Sequence, residues 1–252
     1  MRSHIGNVIL MCAVSAMLVC VPAPVQAGVV VAGSTLLSAG DVTQLEGWLG
    51  EGSLTLTNIF SKTAGDGLIA LDFHTAANGV GRTFSVIEVL AANGFAHQII
   101  GGYNPQSWDS SDSYHNTALD ADRTAFLFNL TNDFKLDQKL ENAGGAGLYQ
   151  TYNTDTYGPT FGGGHDLYVA NDLESGYAFQ FSYGDPYTFG DGSLVGKGYT
   201  SQTDLLYGRI EVFTITQDSS PVPEPSSLAL LGLGIAGMVG RKLRRRRGQS
   251  AA

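Results

Sequence analysis

The chain has 252 residues, 43% of them hydrophobic and 15% charged, with 33 glycines, 2 cysteines and a formal net charge of −9 at pH 7. Both cysteines, Cys12 and Cys20, lie in an N-terminal apolar segment, so the rest of the chain has no disulfide, no cysteine nucleophile and no Cys-ligated metal or iron–sulfur cluster. Between Gly28 and Ser220 there are 7 Lys/Arg against 22 Asp/Glu, a formal charge of −15, which repels phosphate backbones and argues against a nucleic-acid partner.

At the N-terminus, Arg2 precedes an apolar run from Val8 to Val21, and Val25-Gln26-Ala27 stands before Gly28. This small-residue pattern suits signal peptidase, so residues 1–27 are expected to be a cleaved signal peptide. The alternative is an N-terminal anchor that stays attached. Cys20 invites a lipoprotein reading, but Val19 before it is bulky where such a signal takes a small residue. Residues 28–34 lead into a body over 35–216, long enough to bury an apolar core.

In Leu36–Gly50, LLSAGDVTQLEGWLG, Ser38 and Asp41 have capping-box spacing. Val42, Leu45, Trp48 and Leu49 then recur on one helical face, and Gly50 sits where a C-terminal glycine ends a helix. A helix over Asp41–Leu49 is predicted. Further on, strands are predicted over Leu68–Phe73, Thr83–Leu90, Phe95–Ile100, Ala125–Leu130, Leu167–Val169, Ala178–Phe181 and Arg209–Ile215. Each is short, rich in β-branched and aromatic residues, and bounded by turn-forming residues. AFLFNL is apolar on both faces and reads as a strand covered on both sides, whereas Glu211 in the last strand is expected to face solvent. Asp72–Asn78 and Asp133–Glu141 are expected to be short helices or turns. The fold class is therefore mostly β (α+β), a sandwich with a few short flanking helices. Residues 217–227, polar and rich in proline, read as a linker.

The first candidate site is Gly162-Gly163-Gly164-His165-Asp166. Three glycines allow close approach of backbone to a ligand or positive φ, and a histidine beside a carboxylate can bind a metal or move a proton. The structural alternative is a tight crossing at a sheet edge, tied down by His165 or Asp166. His74, His97 and His115 share no ligand spacing and are expected to be satisfied locally. WDSSDSYHNTALDAD, with Asp109, Asp112, Asp120 and Asp122, offers oxygen ligands of the kind Ca2+ takes, but lacks the EF-hand order and reads first as a solvated loop. Tyr103, after Gly101-Gly102, and Trp108 read as a turn with an aromatic plug, or else as a platform for stacking on sugars. Neither a nucleophile elbow nor a zincin, dinucleotide-binding or CxxC motif occurs, and no spacing selects a glycosidase pair among the 22 acids. No catalytic residue, cofactor or metal site is assigned, Ca2+ being the one ion considered.

The C-terminus has three parts. Val222-Pro223-Glu224-Pro225 is stiff and non-helical, Leu228–Val239 is uninterrupted apolar sequence, and Arg241–Arg247 holds 6 of the 14 basic residues. As a helix the 12-residue run spans roughly 18 Å, short of the ~30 Å hydrocarbon core. Basic side chains can extend such a span by snorkelling and hold its end in the cytoplasm. A transmembrane segment over 228–240 and a basic cytoplasmic tail over 241–252 are expected in the precursor. This tripartite tail resembles the PEP-type C-terminal sorting signal of Gram-negative bacteria. The resemblance implies Pro223, Glu224 and Pro225 as the sorting motif, an exosortase as processing partner, and delivery to the cell surface or extracellular matrix.

GGYNPQSW at Gly101–Trp108 and GPTFGGGHDLYV at Gly158–Val169, together with DFH at Asp72–His74, AFLFNLTN at Ala125–Asn132 and IEVF at Ile210–Phe213, resemble the TLD (TLDc) domain over about residues 35–215. The resemblance implies two antiparallel sheets packed as a sandwich with helices alongside, and a noncatalytic interaction module. Eukaryotic members are linked to oxidative protection and to the vacuolar proton pump; an exported chain faces neither setting. The function expected is a noncatalytic binding or structural protein of the surface or matrix, with exopolysaccharide or another surface protein as partner. The alternatives are an extracellular polysaccharide hydrolase and a calcium-stabilised adhesion domain.

Overall fold

The computed structural model describes residues 28–140, 145–184, 193–196, 198 and 200–218, which hold eleven strands and two α-helices. In chain order these are β1 (Val29–Val31), α1 (Ala39–Leu49), β2 (Leu54–Lys62), α2 (Ala70–Ala77), β3 (Thr83–Val89), β4 (Gln98–Asn104), β5 (Ser113–Asn116), β6 (Phe126–Asn129), β7 (Phe134–Asp137), β8 (Tyr149–Asn153), β9 (Leu167–Val169), β10 (Ser175–Ala178) and β11 (Leu205–Gln217). The family-like sandwich is present, built in two layers. The larger runs β1-β2-β11-β3-β4-β6-β7, antiparallel except for the parallel pair β1–β2.

The layers are not separate sheets. The start of β11 pairs with β10, and β10 pairs with β9. Phe161 then bridges Leu167 of β9 to Thr151 of β8, and β8 pairs with β5. At 13 residues, β11 is long enough to serve both layers. Its register shifts between Tyr207 and Ile210, where Gly208 has no side chain to strike Glu88.

Two apolar clusters follow from strand alternation. Between the layers lie Phe60, Ile87, Val89, Ile100 and Leu127 from one side and Leu167, Val169 and Ala178 from the other, closed by Phe73 and Ala77 of α2. On the opposite face of the larger layer, Leu54, Leu56, Phe84, Phe128 and Phe213 are covered by Val42, Leu45 and Trp48 of α1. That helix has the capping box read from its sequence: Asp41 N–H donates to Ser38 Oγ at 3.3 Å, and Ser38 N–H to Asp41 Oδ2 at 2.8 Å. Gly50 ends it at φ 75°.

Several expectations are corrected. Leu68–Phe73 is not a strand; Ala70, Phe73 and Ala77 fall on one face of α2 and enter the core, while Asp72 Oδ2 accepts Ile69 N–H at 2.9 Å at the helix start. Tertiary burial of that face outweighs its strand-like composition. Asp133–Glu141 is not helical over its described part, because Phe134–Asp137 pairs with β6 as an edge strand; Glu141 lies outside the described residues. Strand β2, absent from the expected set, carries the Leu-Thr-Leu-Thr alternation of residues 54–57. Glu211 does not face solvent. It is 3% exposed, accepting Thr35 N–H at 2.8 Å, Thr35 Oγ1–H at 2.7 Å and a short bond from Ser34. These donors come from the lead-in segment folding back over β11, which one strand's pattern cannot reveal.

Glu88 of β3 ties this strand to its neighbour β11. Arg209 donates to it through Nε and Nη2, both at 2.9 Å, and His97 Nε2 lies 2.9 Å from Oε1. The Arg209 bonds hold the Glu88 carboxyl down from 4.5 to about 2, against burial, which raises it, with His97 adding to the lowering. A lowered carboxyl contributes stability that is present above its unfolded value and lost as pH falls through the folded one. Arg209→Met should therefore move acid unfolding to higher pH within the window between about 4.5 and 2. Circular dichroism through an acid titration measures this, and an unchanged midpoint would show that the pair contributes nothing.

Candidate functional site

Alternation in the second layer divides its side chains between two faces. Leu167 and Val169 point into the core, so Tyr168 between them points out, opposite Tyr177 on β10. Thr151 and Asn153 are buried, so Tyr152 between them also points out, opposite Tyr114 on β5. The outer face is thus tyrosine, half-buried at Tyr114, Tyr152 and Tyr168 and buried at Tyr177, joined by Tyr149 and Tyr157.

The turn Gly162–His165 sets the centre of this face. His165 N–H donates to Gly162 O at 3.1 Å, with Gly162 at φ 85° and His165 itself at φ 54°. Gly163 N–H donates to Ser182 Oγ at 2.8 Å, and Tyr114 Oη–H to Gly163 O at 3.1 Å. The His165 ring stands among tyrosines, 5.3 Å from Tyr152, 5.7 Å from Tyr157, 5.7 Å from Tyr168, 6.2 Å from Tyr114 and 6.3 Å from Tyr177. Burial lowers its pKa from the ordinary imidazole value, and its Nδ1 is buried without a hydrogen-bond partner among the described residues.

Asp166 turns the other way. Its carboxylate accepts N–H from Phe181 at 2.7 Å, from Ser182 at 2.8 and 2.9 Å, and from Tyr183 at 2.9 Å. Burial pushes its carboxyl up to about 7, while these backbone donors oppose the shift. The carboxylate replaces a strand partner for the backbone after β10, which otherwise leaves buried N–H groups unpaired. No hydrogen bond joins His165 to Asp166 among the described residues, so the two do not form an acid–base dyad.

The other candidate aromatics lie inside. Tyr103 is 4% exposed and packs with Phe84 and Phe126 on the α1 side of the larger layer. Trp108 is 1% exposed, set edge-on to Phe161 at 5.3 Å, with Nε1–H donating to Thr83 Oγ1 at 2.9 Å. Trp108 belongs to the core between the layers, whereas Tyr103 lines a cavity of about 480 Å³ beside α1, with Trp48, Phe126, Arg123 and Lys135 around it. The other histidines among the described residues are held locally: His74 by Asn78 and Tyr157 O, His97 by Glu88, His115 by Asp109. In the acidic stretch, Asp109 faces His115 and Asp120 pairs with Arg123 at 2.7 Å. Among the described residues no three His, Cys, Asp or Glu groups converge as a metal site.

Residues 30–216 match the TLDc domain. The chain belongs to the TLDc domain family. Residues 221–246 match the PEP-CTERM protein-sorting motif, which implies exosortase processing, export and sorting to the cell surface in Gram-negative bacteria. A comparison with curated proteins found no match. The sorting residues Pro223, Glu224 and Pro225 and the apolar run after them lie outside the described residues; among those described, no helix is long and apolar enough to cross a membrane.

In this TLDc body the tyrosine face escaped a linear reading because its members come from β5, β8, β9, β10 and the loop between β8 and β9. The usable signal was the period-two placement of Tyr114, Tyr152 and Tyr168 within short strands. Gly162 is required by φ as well as by space, and Gly163 by space. A Cβ on Gly162 would meet Asp166 Oδ2 at 1.9 Å, and one on Gly163 would meet the Tyr149 ring at 2.5 Å. Gly162→Ala and Gly163→Val should each lower stability by at least about 2 kcal/mol. His165→Gln should cost only about 1 kcal/mol, the loss of ring packing. Thermal melts compare the three; equal losses would mean that the turn's backbone carries no special demand.

Proposed function

We propose that this protein is a noncatalytic binding or structural component of the cell surface or extracellular matrix, brought there by a cleaved signal peptide and an exosortase. The tyrosine face around His165 is its contact surface, and the ligand is a polysaccharide chain of the matrix. One observation carries this reading: the second layer turns a cluster of tyrosine rings outward around His165. Such rings combine apolar area with hydroxyls, the combination that suits the C–H faces and hydroxyls of sugars. A body carrying −15 between Gly28 and Ser220 favours a neutral polymer over a polyanion.

The test is retention of the processed protein in gels containing neutral or acidic polysaccharide. Neutral polymer should retard the wild type, and Tyr152→Ala combined with Tyr168→Ala should weaken retention about tenfold. Equal retardation of both proteins would remove the tyrosine face from consideration. New reducing ends would favour a hydrolase instead, and a rise in melting temperature with millimolar Ca2+ but not Mg2+ would favour a calcium-stabilised adhesion domain.

Sorting makes a separate expectation. Alanines at Pro223, Glu224 and Pro225 leave the apolar run and basic cluster untouched, so the variant should insert but accumulate as full-length precursor. Serines in place of the basic cluster should instead reduce membrane retention. Identical processing of the alanine variant and wild type would mean that the tail serves only as an anchor.

A further inference from the structure

Gly28, the residue after the expected signal-peptide site, lies against a buried carboxylate. A Cβ built on it would stand 2.2 Å from Glu46 Oε1, 2.8 Å from Val42 Cγ1 and 2.9 Å from Leu54 O. Standard bond lengths and angles then place the Gly28 nitrogen within about 5 Å of Glu46 Oε1. Val42 and Glu46 are one turn apart on α1, so the start of the body is seated between that helix and the start of β2.

Glu46 is 8% exposed, and its Oε1 accepts Leu54 N–H at 2.8 Å. Glu51 faces Arg82, Glu88 faces Arg209 and Glu174 faces Lys62, while buried Glu211 takes three hydrogen bonds from Ser34 and Thr35. Among the described residues Glu46 has no cationic side chain within ion-pair distance. A buried carboxylate without a cation is costly, and a charge-assisted hydrogen bond offsets that cost better than a neutral amide does.

We infer that signal-peptide removal supplies the missing cation: the new α-ammonium group of Gly28 pairs with Glu46 and locks β1 against α1 and β2. Hydrolysis of the Ala27–Gly28 peptide bond consumes water, leaves a carboxylate on Ala27 and frees the Gly28 amine, which is protonated below its ordinary pKa of about 8. In the precursor the same nitrogen is a neutral amide. Processing thereby becomes a stabilising step of folding on the far side of the membrane. Glycine at this position follows from the same geometry, since any side chain collides with the carboxylate and with Leu54 O.

The inference rests on cleavage after Ala27, so the N-terminus of the exported protein is read first by mass spectrometry. A different first residue leaves no α-ammonium group on Gly28 and overturns the inference at once. The pairing is tested on the chain Gly28–Ala252 in detergent, with its α-amine free or acetylated, in wild type and in Glu46→Gln. Acetylation should lower the melting temperature by about 2–4 °C in wild type and have no effect in Glu46→Gln, whose side-chain oxygen still accepts from Leu54. No loss in wild type, or the same loss in both, overturns the pairing. Should Glu46→Gln fail to fold, an NMR titration of the Gly28 amine in wild type decides. Pairing raises its pKa above the ordinary value of about 8, and titration at or below that value overturns the inference.

Discussion

The contact on which the second layer depends is the ring of Phe161 against Gly102. A Cβ on Gly102 would come within 2.6 Å of that ring, so β4 is bare where Phe161 arrives. Trp108 holds the ring edge-on at 5.3 Å, and Tyr183 packs on it at 6.3 Å. The backbone of Phe161 meanwhile bridges Thr151 and Leu167. One residue therefore closes the second layer and seats it on the first. GGYNPQSW and GPTFGGGHDLYV, far apart in sequence, are two sides of this one contact.

With Phe161 held in place, the turn after it is held too. Gly162 reverses the chain with φ 85°, and the next residues must divide between outside and inside. Asp166 falls inside, where it pairs the backbone of residues 181–183, and His165 falls outside among tyrosines. The His-Asp pair that suggests chemistry in the linear sequence is thus separated by the turn that brings it into being. Chemistry at this position would need the two groups to share a substrate, whereas the fold uses one as an internal anchor and places the other on an aromatic face.

Much of the architecture was legible where a local rule decides it. Ser38, Asp41 and Gly50 delimit α1 because capping depends on residues a few positions apart. AFLFNL was legible as a doubly covered strand, and Phe126 and Phe128 indeed enter one cluster while Leu127 enters the other. The errors occur where distant partners decide. Residues 68–73 look like a strand until the core claims Phe73 and Ala77 at helical spacing, and Glu211 looks exposed until Ser34 and Thr35 fold over it. The tyrosine face is the extreme case: no window of sequence contains it, since its rings meet only after β5, β8 and β9 have been placed.

Charge finally separates what this surface can meet from what it cannot. The body is acidic overall, but the positions of its cations matter more than the total. Lys62 has a fully buried side chain, Arg123 is 2% exposed at its side chain, and Arg82 and Arg209 are bound to Glu51 and Glu88. Lys135 lies beside Asp137 and over the Phe126 ring. Among the described residues these basic groups hold the sandwich together, and none of them borders His165. A polyanion approaching the tyrosine face would meet the net negative field of the body. An uncharged chain of sugars meets no such barrier, and the rings give it apolar area where its own C–H faces need it. In the proposed function, the cations committed to ties within the body and the preference for a neutral ligand go together.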